Sequence, residues 1–236
     1  MFAQSIFYLR EYLFPSGCGG CGKALFSAKD AYFGLCGDCR AFFDTALDSE
    51  NRCEICGKPM ISEKRACLSC RKKEEAGERI IRMRALFPYT GKFRAILGAY
   101  KFGKSLGVAN FLAERLNSCA AAFAPEEAVW VPVPPRPGKI KKQGWDQIEY
   151  LAGLLESRHN NVYRCLKRLP SRSQKELNRE QRGSNLKGRI VRTKQAPKTA
   201  ILFDDVITTG STLNACAETL LEGGTGKVCG VCLFYD

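Results

Sequence analysis

The stretch Ala200-Ile201-Leu202-Phe203-Asp204-Asp205-Val206-Ile207-Thr208-Thr209-Gly210-Ser211-Thr212-Leu213 decides how this 236-residue chain is read. Ile201 to Phe203 form an apolar run that fits a buried strand, and two carboxylates follow at once. Thr208 to Thr212 make a short loop of hydroxyl residues around Gly210. Leu213, Cys216, Ala217, Leu220 and Leu221 then recur at the spacing of one helix face. The predicted order is strand, acid pair, hydroxyl-glycine loop, helix N-terminus.

A helix N-terminus presents unpaired backbone N–H groups and partial positive charge, so it attracts an anion. Gly210 has no Cβ to keep the backbone away from that anion. Thr208, Thr209, Ser211 and Thr212 add hydroxyl donors. No lysine lies in the loop, which excludes a P-loop and suits a phosphate monoester held by neutral dipoles. Asp204 and Asp205 repel such a phosphate, but they suit sugar hydroxyls beside it. The plain alternative makes the acids turn residues and the hydroxyls an N-cap. The segment resembles the 5-phosphoribosyl 1-pyrophosphate (PRPP) motif of type I phosphoribosyltransferases. That resemblance implies contact of Asp204 and Asp205 with the ribose hydroxyls, and of Thr208, Thr209, Gly210, Ser211 and Thr212 with the 5-phosphate.

Eight of thirteen cysteines form four Cys-x-x-Cys pairs: Cys18/Cys21, Cys36/Cys39, Cys53/Cys56 and Cys67/Cys70. Two thiolates three apart on a tight turn grip one face of a metal, and a second such turn completes a tetrahedron. Gly22, Gly37 and Gly57 directly follow a cysteine, as zinc knuckles favour. Two structural zinc ions are therefore expected, in a reducing cytoplasm rather than a disulfide framework. Sequential pairing is the simpler arrangement, and a crossed one, first pair with third, is the alternative. Cys229 and Cys232 share the spacing, but on a strand they face opposite sides. Cys119, Cys165 and Cys216 read as small buried apolar residues.

The 45% apolar content fits a globular protein, and no apolar run is long enough to span a membrane. Phe2 to Phe14 reads as a short amphipathic helix rather than a signal peptide. The net charge of +13 favours polyanionic partners, and the single histidine, His159, leaves little scope for histidine catalysis.

A charged connector, Arg71 to Arg84, is followed by alternating strand and helix patterns. Strands are expected at 84–89, 129–133, 162–166, 200–203 and 228–234. Helix faces are expected through Phe93, Ile96, Leu97 and Tyr100, through Phe111, Leu112 and Leu116, and through Ile148, Leu151, Ala152 and Leu155. Such alternation predicts a parallel sheet with helices on both faces, and ligands at the carboxyl ends of its strands. Two basic loops stand out. One runs from Pro132 to Gln147, stiffened by proline. The other runs from Lys167 to Arg192, a long lid-like stretch carrying Lys175, Arg179, Arg182 and Asn185.

The whole chain resembles the ComF family of competence-associated proteins. The resemblance rests on Tyr100-Lys101-Phe102-Gly103, Val131-Pro132-Val133-Pro134, Gly144-Trp145-Asp146-Gln147, Ser173-Gln174, Arg182, Asn185 and the Asp-Asp-Val-Ile-Thr-Thr-Gly segment. It implies a zinc-binding double ribbon over residues 1–76 and a type I phosphoribosyltransferase-like α/β domain over 77–236. It also implies a link to DNA uptake in natural transformation. Members usually read Arg-Gly-Phe-Asn-Gln where this chain has Gln143 to Gln147, so Lys141 or Lys142 is expected to supply the missing arginine's anion contact. The backbone at Val133 and Pro134, with Lys175 and Arg182 of the lid, is expected at the pyrophosphate, together with magnesium.

Three functions are consistent with these residues. The first is transfer of phosphoribosyl from PRPP to an unidentified acceptor, with pyrophosphate leaving C1. The second is a PRPP- or nucleotide-sensing domain without catalysis. The third is an adaptor for single-stranded DNA and competence proteins, with Trp145, Phe102 and Tyr100 as candidate stacking residues.

Overall fold

The computed structural model describes residues 16–47, 51–77, 81–103, 105–170 and 188–236. The expected helix at Phe2 to Phe14 and the lid residues Lys175, Arg179, Arg182 and Asn185 lie outside them.

The centre is a four-stranded, wholly parallel sheet in the order β1-β6-β5-β2. Its strands are β1 (Arg82–Pro88), β2 (Val129–Pro132), β5 (Thr199–Ile207) and β6 (Lys227–Tyr235). The two central strands are buried on both faces, and their side chains alternate between two cores. Ile201, Phe203, Cys229 and Val231 enter one core; Ala200, Leu202, Val228 and Cys232 enter the other. Cys229 and Cys232 thus face opposite sides, as their spacing requires.

Helices α4 (Gly91–Lys101), α5 (Leu106–Ala121) and α7 (Gln147–Ser157) cover the first face with the apolar stripes expected from sequence. Helix α8 (Ser211–Glu222) covers the second through Leu213, Cys216, Ala217 and Leu220.

Four local expectations are corrected. The strand at 200–203 continues to Ile207, so the acid pair lies within its carboxyl end and not in a turn after it. Val162 makes only an isolated bridge to Trp130. The true strand is β3 (Leu166–Arg168), antiparallel to β4 (Ile190–Arg192), so the ends of the long basic stretch form a two-stranded ribbon. The loop after β2 contains a short helix, α6 (Lys139–Gln143), flanked by the left-handed glycines 138 and 144.

The cysteine-rich segment forms two similar units. In each, a knuckle loop leads to a short helix: α1 (Ala28–Phe33) and α2 (Gly37–Thr45) in the first, α3 (Leu68–Glu75) in the second. The backbone bonds repeat. Cys18 N donates to Lys23 O as Cys53 N does to Lys58 O, both at 2.8 Å. Gly22 and Gly57 have positive φ, whereas Gly37 does not and simply opens α2.

Both units pack on the α/β domain. Phe43 of α2 is fully buried in the first core, with ring centroids 5.9 Å from Phe87, 5.3 Å from Phe93 and 5.9 Å from Phe111. The second unit covers the free edge of β1. Met83 N donates to Ile55 O at 2.6 Å, and Arg52 donates to Ala85 O at 2.9 Å. These bonds occupy edge groups that would otherwise invite another strand. Gly57 sits against that edge at φ 71°, where a Cβ would lie 2.8 Å from Arg84 Cα.

Because Phe43 belongs to the core of the α/β domain, Phe43→Ala is expected to lower the stability of the whole chain by about 3–5 kcal/mol in denaturant melts followed at the sheet. Loss confined to the cysteine-rich segment would contradict the shared core.

Candidate functional site

The carboxyl ends of β5 and β2 open on a cavity of about 1220 Å³. Asp204, Asp205, Thr208, Thr209, Ser211 and Thr212 form one side of it, and Val133 and Pro134 belong to another. Gly210 is buried behind the loop, beside a smaller adjoining cavity. It adopts φ 77° as the N-cap of α8, a conformation in which other residues are strained. The N-cap glycine offers no side chain to cap α8, Thr209 Oγ1 accepts from Ser211 N at a long 3.4 Å, and the first turn carries no acid. The start of a twelve-residue helix therefore points its amide end at the cavity. Thr209 Oγ1 lies 2.7 Å from Ser211 Oγ, so the hydroxyls form a linked set.

The two acids have different surroundings. Asp204 Oδ1 accepts from Asp205 N at 2.8 Å and has no ion pair among the described residues. Burial first, and the Asp205 charge second, push its carboxyl up to about 8. Asp205 Oδ2 meets Lys101 Nζ and Gln147 Nε2, each at 2.5 Å. Gln147 Oε1 accepts from Lys139, whose ammonium also pairs with Asp146 Oδ2 at 2.6 Å. Asp146 is buried, and its other oxygen caps α7 by accepting from Ile148 N and Glu149 N.

The remaining wall is cationic. Lys139 and Lys142 line the cavity and Lys141 does not, because residues three apart on α6 share a face while Lys141 turns outward. Arg136, Arg168 and Arg189 line it as well, and none is in an ion pair among the described residues. Burial, reinforced by the like charges of Arg136 and Arg189, lowers the Arg168 pKa. Sequence reading missed Arg168 and Arg189 because they become neighbours only when β3 pairs with β4; Leu169 N donates to Arg189 O at 2.8 Å. It also gave no role to Lys101, although the Tyr-Lys-Phe-Gly motif contains it. Lys175 and Arg182 lie outside the described residues. Of the candidate stacking aromatics, Tyr100 is wholly buried against Trp145 and Phe102 is 86% exposed.

The metal centres are sequentially paired. Cys18, Cys21, Cys36 and Cys39 form one cluster, and Cys53, Cys56, Cys67 and Cys70 the other, with sulfurs in each within 4.8 Å of one another. The crossed alternative is excluded. Cys21 and Cys36 sulfurs are 3.8 Å apart, as are those of Cys56 and Cys67. A tetrahedron with zinc–sulfur bonds of about 2.3 Å has edges of about 3.8 Å, so the donor sets fit zinc. Cys36 N and Cys67 N each point at a cluster sulfur, 3.3 Å from Cys18 and Cys53 respectively. The hydrogen bond from Cys70, against the opposing effect of burial, lowers the Cys56 thiol to about 5. All four positions of each tetrahedron are protein sulfur, which marks structural sites rather than catalytic ones.

A family model described as a double zinc ribbon domain matches residues 9–73. The competence protein ComFC of Streptococcus pneumoniae is 30% identical over 201 residues, covering 82% of this chain and 84% of its own length. ComFC of Bacillus subtilis is 26% identical over 183 residues, covering 73% and 72%. Among solved structures, hypoxanthine phosphoribosyltransferases of Trypanosoma cruzi and Staphylococcus aureus overlay with TM-scores of 0.34 and 0.36 at 12% identity. Each overlay covers 54% of this chain and 63% or 62% of the enzyme, less than two thirds of its length. The class is an α/β protein with a parallel sheet that carries a double zinc ribbon. The chain belongs to the ComF family.

Two measurements check this description. Elemental analysis of protein purified without chelator is expected to give two zinc per chain; none would end the ribbon assignment. The Asp204 carboxyl titrates near 8 in the folded chain and at about 3.9 when unfolded. The folded state therefore holds the extra proton between those values, and this group's contribution to stability falls as pH rises through that window. Asp204→Asn is expected to flatten the decline and to melt higher than the parent near the top of the window in magnesium-free buffer. Parallel pH profiles for the two proteins would contradict the buried-acid description.

Proposed function

We propose that this chain binds PRPP as its magnesium complex, in a process of DNA uptake, and that phosphoribosyl transfer to an unidentified acceptor is the chemistry the site suits. The observation that carries the reading is that an acid pair and a glycine-capped helix N-terminus with no acid in its first turn open on the same cavity. A ligand that satisfies both carries hydroxyls a few ångströms from a phosphate. In this reading Asp204 and Asp205 accept from the ribose hydroxyls, and the Thr208 to Thr212 loop with Gly210 seats the 5-phosphate.

The pyrophosphate lies along Val133 and Pro134, towards Lys139, Lys142 and the arginines, and the family resemblance assigns Lys175 and Arg182 to the same group. Magnesium supplies neutralisation of the leaving pyrophosphate when bound. The C1–oxygen bond breaks, the bonding pair leaves with pyrophosphate, and a nitrogen nucleophile takes its place at C1. Charge develops on both fragments, so the fixed cations of the wall stabilise the departing one.

The DNA-uptake setting comes from the relatives, both described as competence proteins. A cytoplasmic location fits that setting, and no helix among the described residues is long and apolar enough to cross a membrane. Direct binding of single-stranded DNA is a second reading, favoured by the +13 charge. It predicts affinity that falls steeply with salt as counterions are released. Sensing without transfer differs from the main reading only in releasing no pyrophosphate.

Replacing both acids, Asp204→Ala with Asp205→Ala, is expected to abolish magnesium-PRPP binding in calorimetry while zinc content stays at the parent value. Unchanged affinity would reject the sugar-clamp assignment. Pyrophosphate release during an acceptor screen separates transfer from sensing.

A further inference from the structure

The second zinc unit touches the anion loop itself. Lys73, on α3, donates from Nζ to the Thr209 carbonyl oxygen at 2.7 Å, across 136 residues of sequence. Thr209 immediately precedes Gly210, and the peptide between them is trans. In a trans peptide the carbonyl and the N–H point in opposite directions. A carbonyl held outward by an ammonium group therefore turns the Gly210 N–H inward, toward the loop's concave side. Without that anchor, the peptide before a glycine rotates easily, because glycine tolerates both signs of φ. The rotated form would aim a carbonyl dipole, instead of an N–H, at an incoming anion.

The same unit reaches the loop by two further routes. Ile55 O accepts from Met83 N at 2.6 Å, and the Met83 side chain underlies Gly210: its Cε lies 3.4 Å from where a Cβ on that glycine would be. Lys58 donates to the Asp236 carbonyl, and Asp236 N donates to Ile207 O at 3.0 Å, just before the loop. The position of Lys73 depends on the metal cluster. Cys67 is the N-cap of α3, Cys70 lies in its first turn, and Lys73 is one turn further along the same face.

We infer that Lys73 is a positioning residue for the Thr208–Thr212 anion loop, which makes the second zinc ribbon part of the ligand site and not a detachable staple. This rests on the proposed phosphate role of that loop, and the test separates the two. The full zinc-loaded chain is compared as parent, Lys73→Met, Lys73→Arg and Lys72→Met by amide hydrogen exchange over Gly210–Leu213 without ligand, and by calorimetry with magnesium-PRPP. Lys72 is an exposed neighbour on α3, so Lys72→Met loses the same charge without the contact.

Lys73→Met is expected to speed exchange in the loop by roughly five- to tenfold and to weaken PRPP to a similar degree, as for loss of one exposed hydrogen bond of ordinary net strength. Lys73→Arg restores most of both, and Lys72→Met resembles the parent. Unchanged loop exchange in Lys73→Met would overturn the inference. So would zinc loss, or faster exchange spread over the whole sheet, since either marks general destabilisation. If the parent fails to bind PRPP while Lys73→Met still loosens the loop, the ligand assignment fails and the coupling stands.

Discussion

Two adjacent carboxylates at the end of a buried strand repel each other in a setting that screens them poorly, and one ammonium group stands between them and mutual neutralisation. Lys101 and Gln147 both engage Asp205, and among the described residues Asp204 accepts only from one backbone N–H. Burial, and then the charge of Asp205, raises the Asp204 pKa. A fold selected only for stability has no use for that arrangement, since an apolar or amide residue would serve better. The network behind it, from Gln147 through Lys139 to the α7 cap Asp146, holds Asp205 in one orientation. The acids are held in place before any ligand arrives, which is what the proposed contact with sugar hydroxyls requires.

The zinc ribbons serve the same end by a different route. A segment with so few apolar residues of its own cannot fold on burial alone, and metal binding supplies much of its folding energy. Phe43 and Leu35 place the first unit in the main core. The second unit occupies the open edge of β1 with Ile55, Arg52 and Gly57, and so removes a strand edge that would invite aggregation. From that position α3 lies beside the Thr208–Thr212 loop. The module that reads in sequence as a separate staple is a wall of the domain.

Much of the fold was legible because the signals were local. Apolar spacing located α4, α5, α7 and α8, and the cysteine spacing located both metal clusters. What escaped was non-local or depended on backbone extension. The acid pair was expected after the strand because the apolar run ends at Phe203; sheet pairing of Val206 and Ile207 carries the strand past it. Val162 to Leu166 looked like one strand because it is apolar, yet Val162 makes only an isolated bridge to Trp130 and Leu166 opens the antiparallel ribbon with β4. Lys141 and Lys142 are equivalent in composition, and the short helix α6 separates them. Arg168, Arg189 and Lys101 lie far apart in sequence, and only tertiary packing brings them to one cavity, with Lys73 against the outer side of its Thr208–Thr212 loop.

The central claim is that the Thr208–Thr212 loop seats the phosphate of a phosphorylated sugar while the neighbouring acids face its hydroxyls. The most direct measurement is amide NMR of the zinc-loaded chain titrated with ribose 5-phosphate and, separately, with ribose. The account predicts saturable shifts for Gly210, Ser211 and Thr212 with the phosphorylated sugar, and much weaker ones with ribose alone. Silent loop amides, with ribose 5-phosphate perturbing only residues elsewhere, would contradict it.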